Sequence, residues 1–518
     1  MNDDRSTTGG MDEPAVEVST PLNPDAPPSG QAVVEETEAL GQTEGVIRSG
    51  KLAGRTLWSA VWILALPIML QQTMQACVGL FDKIIAGSLP GDMVVPAIDG
   101  LGVGAYVGWF TGIAMAGLGI GGQAIIARGI GGGDTTLSAQ ALGQSISLSV
   151  IWGALVGVTL WYAVTPLAAV CELTPAATMY AEQYVRVIAV VMPFTGIMMV
   201  GGMCLHGAGE TAKPSIIALA VNVVNILASW TLSGVDVSVG GSVVENPFPF
   251  DLHVYGIAGG TAAAYVVGAM MTLHVLIRGV RDLRLEAPRL APDRSMTWRI
   301  VRIGVPGFAE GISMWLVNLF VLRFIGEIAL REAQRGGSGE GLQGAHIIAV
   351  QWEAFSFLPG FAIGTAAGAL AGQYLGAGNP RMARKAILVC FAVAASIMGV
   401  LGFVYMFAGE FLTAIVSTAP VHLENVPPVL FICGLVQVFF AGVLVIRQGL
   451  RGAGDSTWAF IITSVSCYGV RLPAAYILGV TYDLGLPGVW IALCGELIVR
   501  SLLFGGRFLH GGWARIRV

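Results

Sequence analysis

The chain has 518 residues, of which 54% are hydrophobic and 12% charged, with a formal net charge of −5 and a mean hydropathy of +0.72. Soluble domains carry about 25% charged residues, so this composition excludes a string of soluble domains and indicates a chain that crosses a membrane many times. The net charge owes much to the N-terminal segment and says little about partners; no nucleic-acid partner is expected.

Residues 1–50 are polar, acidic and rich in Pro, Ser and Thr. They cannot bury a core, so a disordered cytoplasmic tail is expected. The segment has no basic stretch followed by an apolar one, and is not read as a cleavable signal. Apolar runs follow at roughly 58–82, 94–127, 138–170, 177–205, 213–234 and 256–278. Six more fall at roughly 301–329, 342–372, 384–408, 426–449, 457–480 and 487–509. Each is long enough for a helix across about 30 Å of hydrocarbon. The expected class is an all-α integral membrane protein of twelve transmembrane helices: a six-helix bundle (51–280), a basic cytoplasmic linker (281–300) and a second six-helix bundle (301–518). The 71 glycines suit closely packed membrane helices.

Charge in the links predicts orientation. Residues 278–302 are dense in arginine, and the links near Arg381, Arg384 and Lys385 and near Arg507, Arg515 and Arg517 are basic. The links at 233–255 and 419–428 have neither Lys nor Arg; the link with Arg331 and Arg335 is the exception. The positive-inside rule then places both termini in the cytoplasm of a cell that carries the protein in its plasma membrane.

Two phrases recur 245 positions apart. LHGAGET (205–211) faces LRGAGDS (450–456), and ARGIGGGD (127–134) faces GQYLGAGN (372–379). Pro67 matches Pro306 at an offset of 239, with a longer, glycine-rich link at 330–344 absorbing the difference. The chain therefore reads as two copies of a six-helix unit. An even number of helices gives both copies the same orientation, related by an axis along the membrane normal. Gly207, Gly209, Gly452 and Gly454 read as turn formers, and Glu210 with Thr211, or Asp455 with Ser456, as caps of the next helix.

GLGIGG (117–122) matches the dinucleotide-binding pattern, but no strand precedes it and it lies in an apolar helix, so close helix packing is the better account. The six histidines and seven cysteines form no metal-ligand spacing, and the cysteines read as buried hydrophobes. No catalytic constellation is present, so an enzyme is not expected. Ionisable groups at membrane depth are functional candidates. These are Glu310, Glu353, Arg471 and Glu496; Glu496 and Arg500, four apart, are expected to pair. Arg447, a turn from Arg451, is expected to snorkel to the cytoplasm. Asp82 lies near the outer end of its helix, where depth alone favours an ordinary interfacial residue. Glu310 and Gln71 each follow a proline by four residues, and either line a cavity or satisfy the backbone of a kink.

Taken together, LPIMLQQ and VGLFDKIIAG in the first helix, AHIIAVQWEAFSFLPGFAIG followed by GQYLGAGNPRMARKA, VNVVNIL, and the twin LHGAGET and LRGAGDS resemble the multidrug and toxic compound extrusion (MATE) family over all of the chain after the tail. The resemblance implies a V-shaped pair of six-helix bundles working by alternating access. It implies export of organic, often cationic, small molecules in exchange for Na⁺ or H⁺. On that basis Asp82 matches the family's first-helix aspartate, with Glu310 and Glu353 as further cation-coupling candidates. Gln71, Asn222, Asn225, Gln437 and Arg471 are candidates for the cavity. The helices at 426–449 and 256–278 lack the acids that Na⁺-coupled and proton-coupled members carry there, so the ion stays open. No cofactor is expected beyond the coupling ion. The expected partners are a small-molecule substrate and the lipid bilayer, with the chain acting as a monomer. A lipid-linked precursor flippase of the same architecture and an intramembrane enzyme are the alternatives.

Overall fold

The computed structural model describes Leu52 and residues 55–516, apart from 91–92, 171–174, 240–241, 281, 336–341 and 417–419. The expected tail at 1–50 and the glycine-rich part of the 330–344 link lie outside the described residues. The first repeat comprises α1 (Leu57–Gly87), α2 (Val94–Gly132), α3 (Thr135–Val170), α4 (Pro175–Val190 continued by Met192–Gly207), α5 (Ala212–Ser233) and α6 (His253–Arg278). The second comprises α7 (Arg294–Gln334), α8 (Leu342–Gly376), α9 (Pro380–Phe407), α10 (Pro420–Leu435 continued by Gln437–Gly452), α11 (Ser456–Thr481) and α12 (Gly485–His510). All twelve expected spans are present. α1 runs on to Gly87 rather than ending near residue 82, and α7 starts at Arg294, inside the segment expected as linker. The α5–α6 link carries a small hairpin absent from the sequence reading, β1 (Val237–Val239) paired with β2 (Ser242–Val244).

The two repeats share their irregularities. Gly133 and Gly378 both take left-handed φ, +77° and +78°, which only glycine adopts without strain. The residue after each, Asp134 or Asn379, caps the following helix by accepting an N–H bond at 2.9 Å from Leu137 or Met382. α4 bends by 60° and α10 by 57°, the breaks falling at Val191 and Val436, again 245 apart. α4 has Pro193 just after its break, but α10 has Val438 there, so the bend does not depend on the proline. In each repeat a glycine of the neighbouring helix, Gly157 or Gly402, lets the backbone before the bend lie directly against it; a Cβ there would strike the carbonyl of Ala189 or Gly434.

The LHGAGET and LRGAGDS phrases form turns with left-handed Gly209 and Gly454. Glu210 accepts bonds from Ala212 N (3.0 Å) and Lys213 N (3.3 Å), as expected of a cap. The hydroxyl of Thr211 donates to the Ile63 carbonyl at 3.0 Å. That carbonyl lacks its helical partner because Pro67 has no N–H, so Thr211, not Gln71, answers the proline of α1. Asp455 was expected to cap α11 and does not: it accepts a bond from Arg507 Nε at 2.8 Å, a charge-assisted bond that a backbone N–H cannot match.

The repeats meet at the end of the body that carries the basic links. There α2 and α8 cross with no side chain between them: a Cβ on Gly131 would strike the backbone of Gln373, and one on Gly376 the backbone of Arg128. Gly117 and Gly121 of the GLGIGG stretch lie in the same way against α7, at Phe308 and Ile300, which is the close packing expected of them. Gln373 also reaches across to the end of α4, donating to Gly207 O at 2.9 Å. The linker is a docked strap: Gln144 on α3 donates to the carbonyls of Arg289 (2.8 Å) and Ala291 (2.7 Å) and accepts from Asp293 N (3.0 Å). The cysteines at 204, 390, 433, 467 and 494 are buried free thiols.

Candidate transport site

Asp82 is 2% exposed, near the C-terminal end of α1. Its Oδ2 accepts from the Tyr184 hydroxyl (2.9 Å) and the Thr261 hydroxyl (2.8 Å), and its Oδ1 from Asn225 Nδ2 (3.1 Å). The same Asn225 amide approaches Thr261 Oγ1 at 2.9 Å, so α1, α4, α5 and α6 converge on one carboxylate. All three donors are neutral, and no cationic group pairs with Asp82 among the described residues. Asn222, a cavity candidate three residues before Asn225, does not reach Asp82; it donates to the Met74 and Ala218 carbonyls at 2.8 and 2.9 Å. Burial so complete also removes the reading of Asp82 as an ordinary interfacial residue.

The carboxylate opens onto a cavity of about 680 Å³. Its walls are apolar and adaptable, with Met198, Met199 and Met203 facing Phe357 and Phe361 of the second repeat. Gln71, Gln123, His206, Gln448 and Arg451 line it as well. Gln71 precedes Asp82 by eleven positions on α1, so Gln71, hydrogen-bonded to His206 at 3.0 Å, sits about 16 Å from the acid along the helix. Gln71 and Asn222 line the cavity. Glu310, Glu353, Gln437 and Arg471 are not among its described lining residues.

Those four have other surroundings. Glu310, 1% exposed, accepts from Arg447 (3.1 Å), Arg451 (2.5 Å) and Thr463 (2.9 Å). Arg447 was expected to snorkel out to water; it points inward because Glu310, buried on α7, draws it. Arg471 lies in a π-helical stretch of α11 (Cys467–Arg471) and joins Glu496 at 2.8 Å. Arg500 completes that cluster at 2.6 Å, the i,i+4 pairing expected for it. Glu353 is half-buried near Arg471. Gln437 is the first residue after the α10 bend, and its amide reaches back over the break to Cys433 O at 3.1 Å.

A family model described as MatE matches residues 67–231 and 342–477, one stretch in each repeat and more than half of the chain. The chain belongs to the MatE family. Its members are membrane transporters and not enzymes. A probable multidrug resistance protein NorM of Thermotoga maritima is 27% identical over 458 residues, covering 87% of this chain and 92% of that one. Multidrug resistance protein PmpM of Pseudomonas aeruginosa is 25% identical over 452 residues, covering 83% and 86%. Among solved structures, a MATE crystal structure in the bent conformation shares the fold with a TM-score of 0.77 at 20% identity, over 88% of this chain and 95% of that one. The sequence reading named Asp82 and Asn225, which the fold brings to 3.1 Å of each other, and missed the acid's other two partners, Tyr184 and Thr261. It gave His206 and Arg451 no place in the cavity that both line.

Proposed function

We propose that the protein exports amphiphilic organic molecules, cations among them, in exchange for inward H⁺ or Na⁺, with Asp82 as the group the ion and the substrate share. One observation carries this reading: a buried carboxylate facing a substrate-sized cavity, with three neutral donors and no counter-charge among the described residues. A charge at membrane depth is costly when unpaired. A proton or a cation relieves that cost, and whichever binds excludes the other. Exchange needs this competition, because a ligand that favours both conformations equally drives neither. The names of the NorM and PmpM relatives support drugs as substrates. The test is dye transport by purified protein in liposomes, with H⁺ and Na⁺ gradients imposed separately. At least one gradient alone is expected to drive transport against the dye's own gradient; transport that ignores both overturns the reading.

We further propose a monomer in the cell membrane with its basic end, and both termini, in the cytoplasm, on the arginine bias of the links. The cytoplasmic side is then the side closed by the α2–α8 crossing. A membrane-impermeant thiol reagent on intact cells is expected to label Ser242→Cys in the hairpin and not Ala291→Cys in the strap. The reverse pattern overturns this orientation.

A further inference from the structure

Two polar side chains flank the glycine contact at the basic end, and they are mates: Arg128 on α2 and Gln373 on α8 stand 245 positions apart. Each crosses the seam to a backbone carbonyl of the other repeat. Gln373 donates to Gly207 O, at the end of α4, at 2.9 Å. Arg128 Nη1 donates to the carbonyl of Ile516. At the same offset Gly207 corresponds to Gly452, so a symmetric bond would end there. The longer guanidinium instead reaches the segment that follows α12.

That segment is firmly docked on its own repeat. A 3-10 turn, Gly512–Arg515, buries Trp513 in the core of the second repeat, 1% exposed. The indole stacks on Phe508, with ring centroids 5.5 Å apart and 9° between the planes, and its Nε1 donates to Phe508 O at 2.9 Å. Trp513 thereby fixes the position of Ile516, three residues on. The first repeat has the corresponding turn, Ala287–Leu290 after α6. There the carbonyls of Arg289 and Ala291 are taken by Gln144 of the same repeat. The two turns differ in what they tie: the first fastens α3 to the end of α6 inside one repeat, the second fastens one repeat to the other.

We infer that Gly512–Ile516 is a latch on the cytoplasmic side: anchored in the second repeat by Trp513 and caught by Arg128 of the first, it weights the conformational balance toward the closed seam and must release when that side opens. A bond from a guanidinium is charge-assisted and stronger than the neutral bond of Gln373, so Arg128 carries the larger share of the hold. The hold is also reversible. The Nε of Arg128 and the Oε1 of Gln373 are buried and meet no protein partner while the seam is closed; parting the repeats opens both to water, which offsets part of the bonds lost. The latch acts on the transition and touches no substrate. The inference therefore goes beyond the export reading and does not depend on what the cavity carries.

The test is hydrogen–deuterium exchange, read by mass spectrometry on the purified full-length protein in nanodiscs. Arg128→Met keeps the length of the side chain and removes its donors. Loss of a charge-assisted bond of this kind shifts the equilibrium roughly tenfold toward the open seam. Peptides on the two sides of the seam, 127–133 and 372–378, are expected to exchange faster than in the wild type. Peptides at the outer ends of α1 and α7, 82–87 and 321–327, are expected to exchange slower, because the repeats rock against each other and opening one end closes the other. Arg128→Lys, which keeps a charge and a donor, is expected to fall between Arg128→Met and the wild type. Trp513→Ala frees the anchor and leaves Arg128 in place; it is expected to give the same opposed pattern, and it keeps the test decisive if Arg128→Met does not fold. Unchanged exchange at the seam, or faster exchange there without slower exchange at the outer ends, overturns the latch. The export reading is tested apart from this, by gradient-driven dye transport in the wild type.

Discussion

Asp82→Asn is expected to give a folded, membrane-inserted protein that no longer couples export to an ion gradient. The substitution is nearly isosteric. One side-chain oxygen still accepts bonds from Tyr184 and Thr261, now 2.9 and 2.8 Å from Asp82 Oδ2. The ionisable group is gone. Gradient-driven transport in liposomes should fall to the level of protein-free vesicles, and dye binding should lose its dependence on pH or Na⁺. Thr261→Val is the graded companion: it removes one donor worth about 1–2 kcal/mol, leaves the carboxylate, and should retain coupled transport with an altered ion dependence. If Asp82→Asn transports at the wild-type rate with unchanged ion dependence, coupling resides elsewhere in the protein.

The second large effect is on stability. Glu496 is fully buried on α12 and, among the described residues, is the one carboxylate bonded to both Arg471 and Arg500. Glu496→Ala strands two buried guanidiniums, and removing one partner of a buried pair costs about 3–5 kcal/mol. The variant should melt well below the wild type in detergent, with poor yield. Replacing the cluster together, Glu496→Leu with Arg471→Met and Arg500→Met, and with Glu353→Gln so that no carboxylate is left facing the lost Arg471, should recover much of the loss, since a well-packed apolar cluster avoids most of the desolvation. A melting temperature for Glu496→Ala within about 1 °C of the wild type would refute this account. The cluster's position supports a structural role: it sits away from the cavity and ties the π-helical part of α11 to α12.

The spans were legible because membrane helices announce themselves by length and hydropathy, and the repeat because its turns need special residues. Gly133 and Gly378 are glycines for their positive φ, and Asp134 and Asn379 are short polar residues because they cap. Asn225 and Asp82 could be placed through the family resemblance. Thr261 could not: in GIAGGTAAAY it is one hydroxyl among small residues, and a search of that helix for an acid passes over it. Tyr184 has no signal short of the tertiary contact. The inward turn of Arg447 was missed for a related reason. A long cation one turn from the membrane face has two destinations, and the choice depends on Glu310, 137 positions earlier in the chain. Beside the bends at Val191 and Val436 the backbone packs on glycines of neighbouring helices, a contact that a reading of one helix at a time does not see.

The crossing of α2 and α8 has a consequence of its own. Gly131 meets Gln373 and Gly376 meets Arg128, and these are one contact seen from each side, since each pair maps onto the other at an offset of 245. A patch that binds its own image is self-complementary, the property of a two-fold homodimer interface. A single half-length ancestor bearing this patch could already close on a second copy of itself in the same bilayer. Away from this seam the repeats differ, the first holding Asp82 beside neutral donors and the second its Glu310 beside two arginines, while the seam itself keeps the symmetry of the pair.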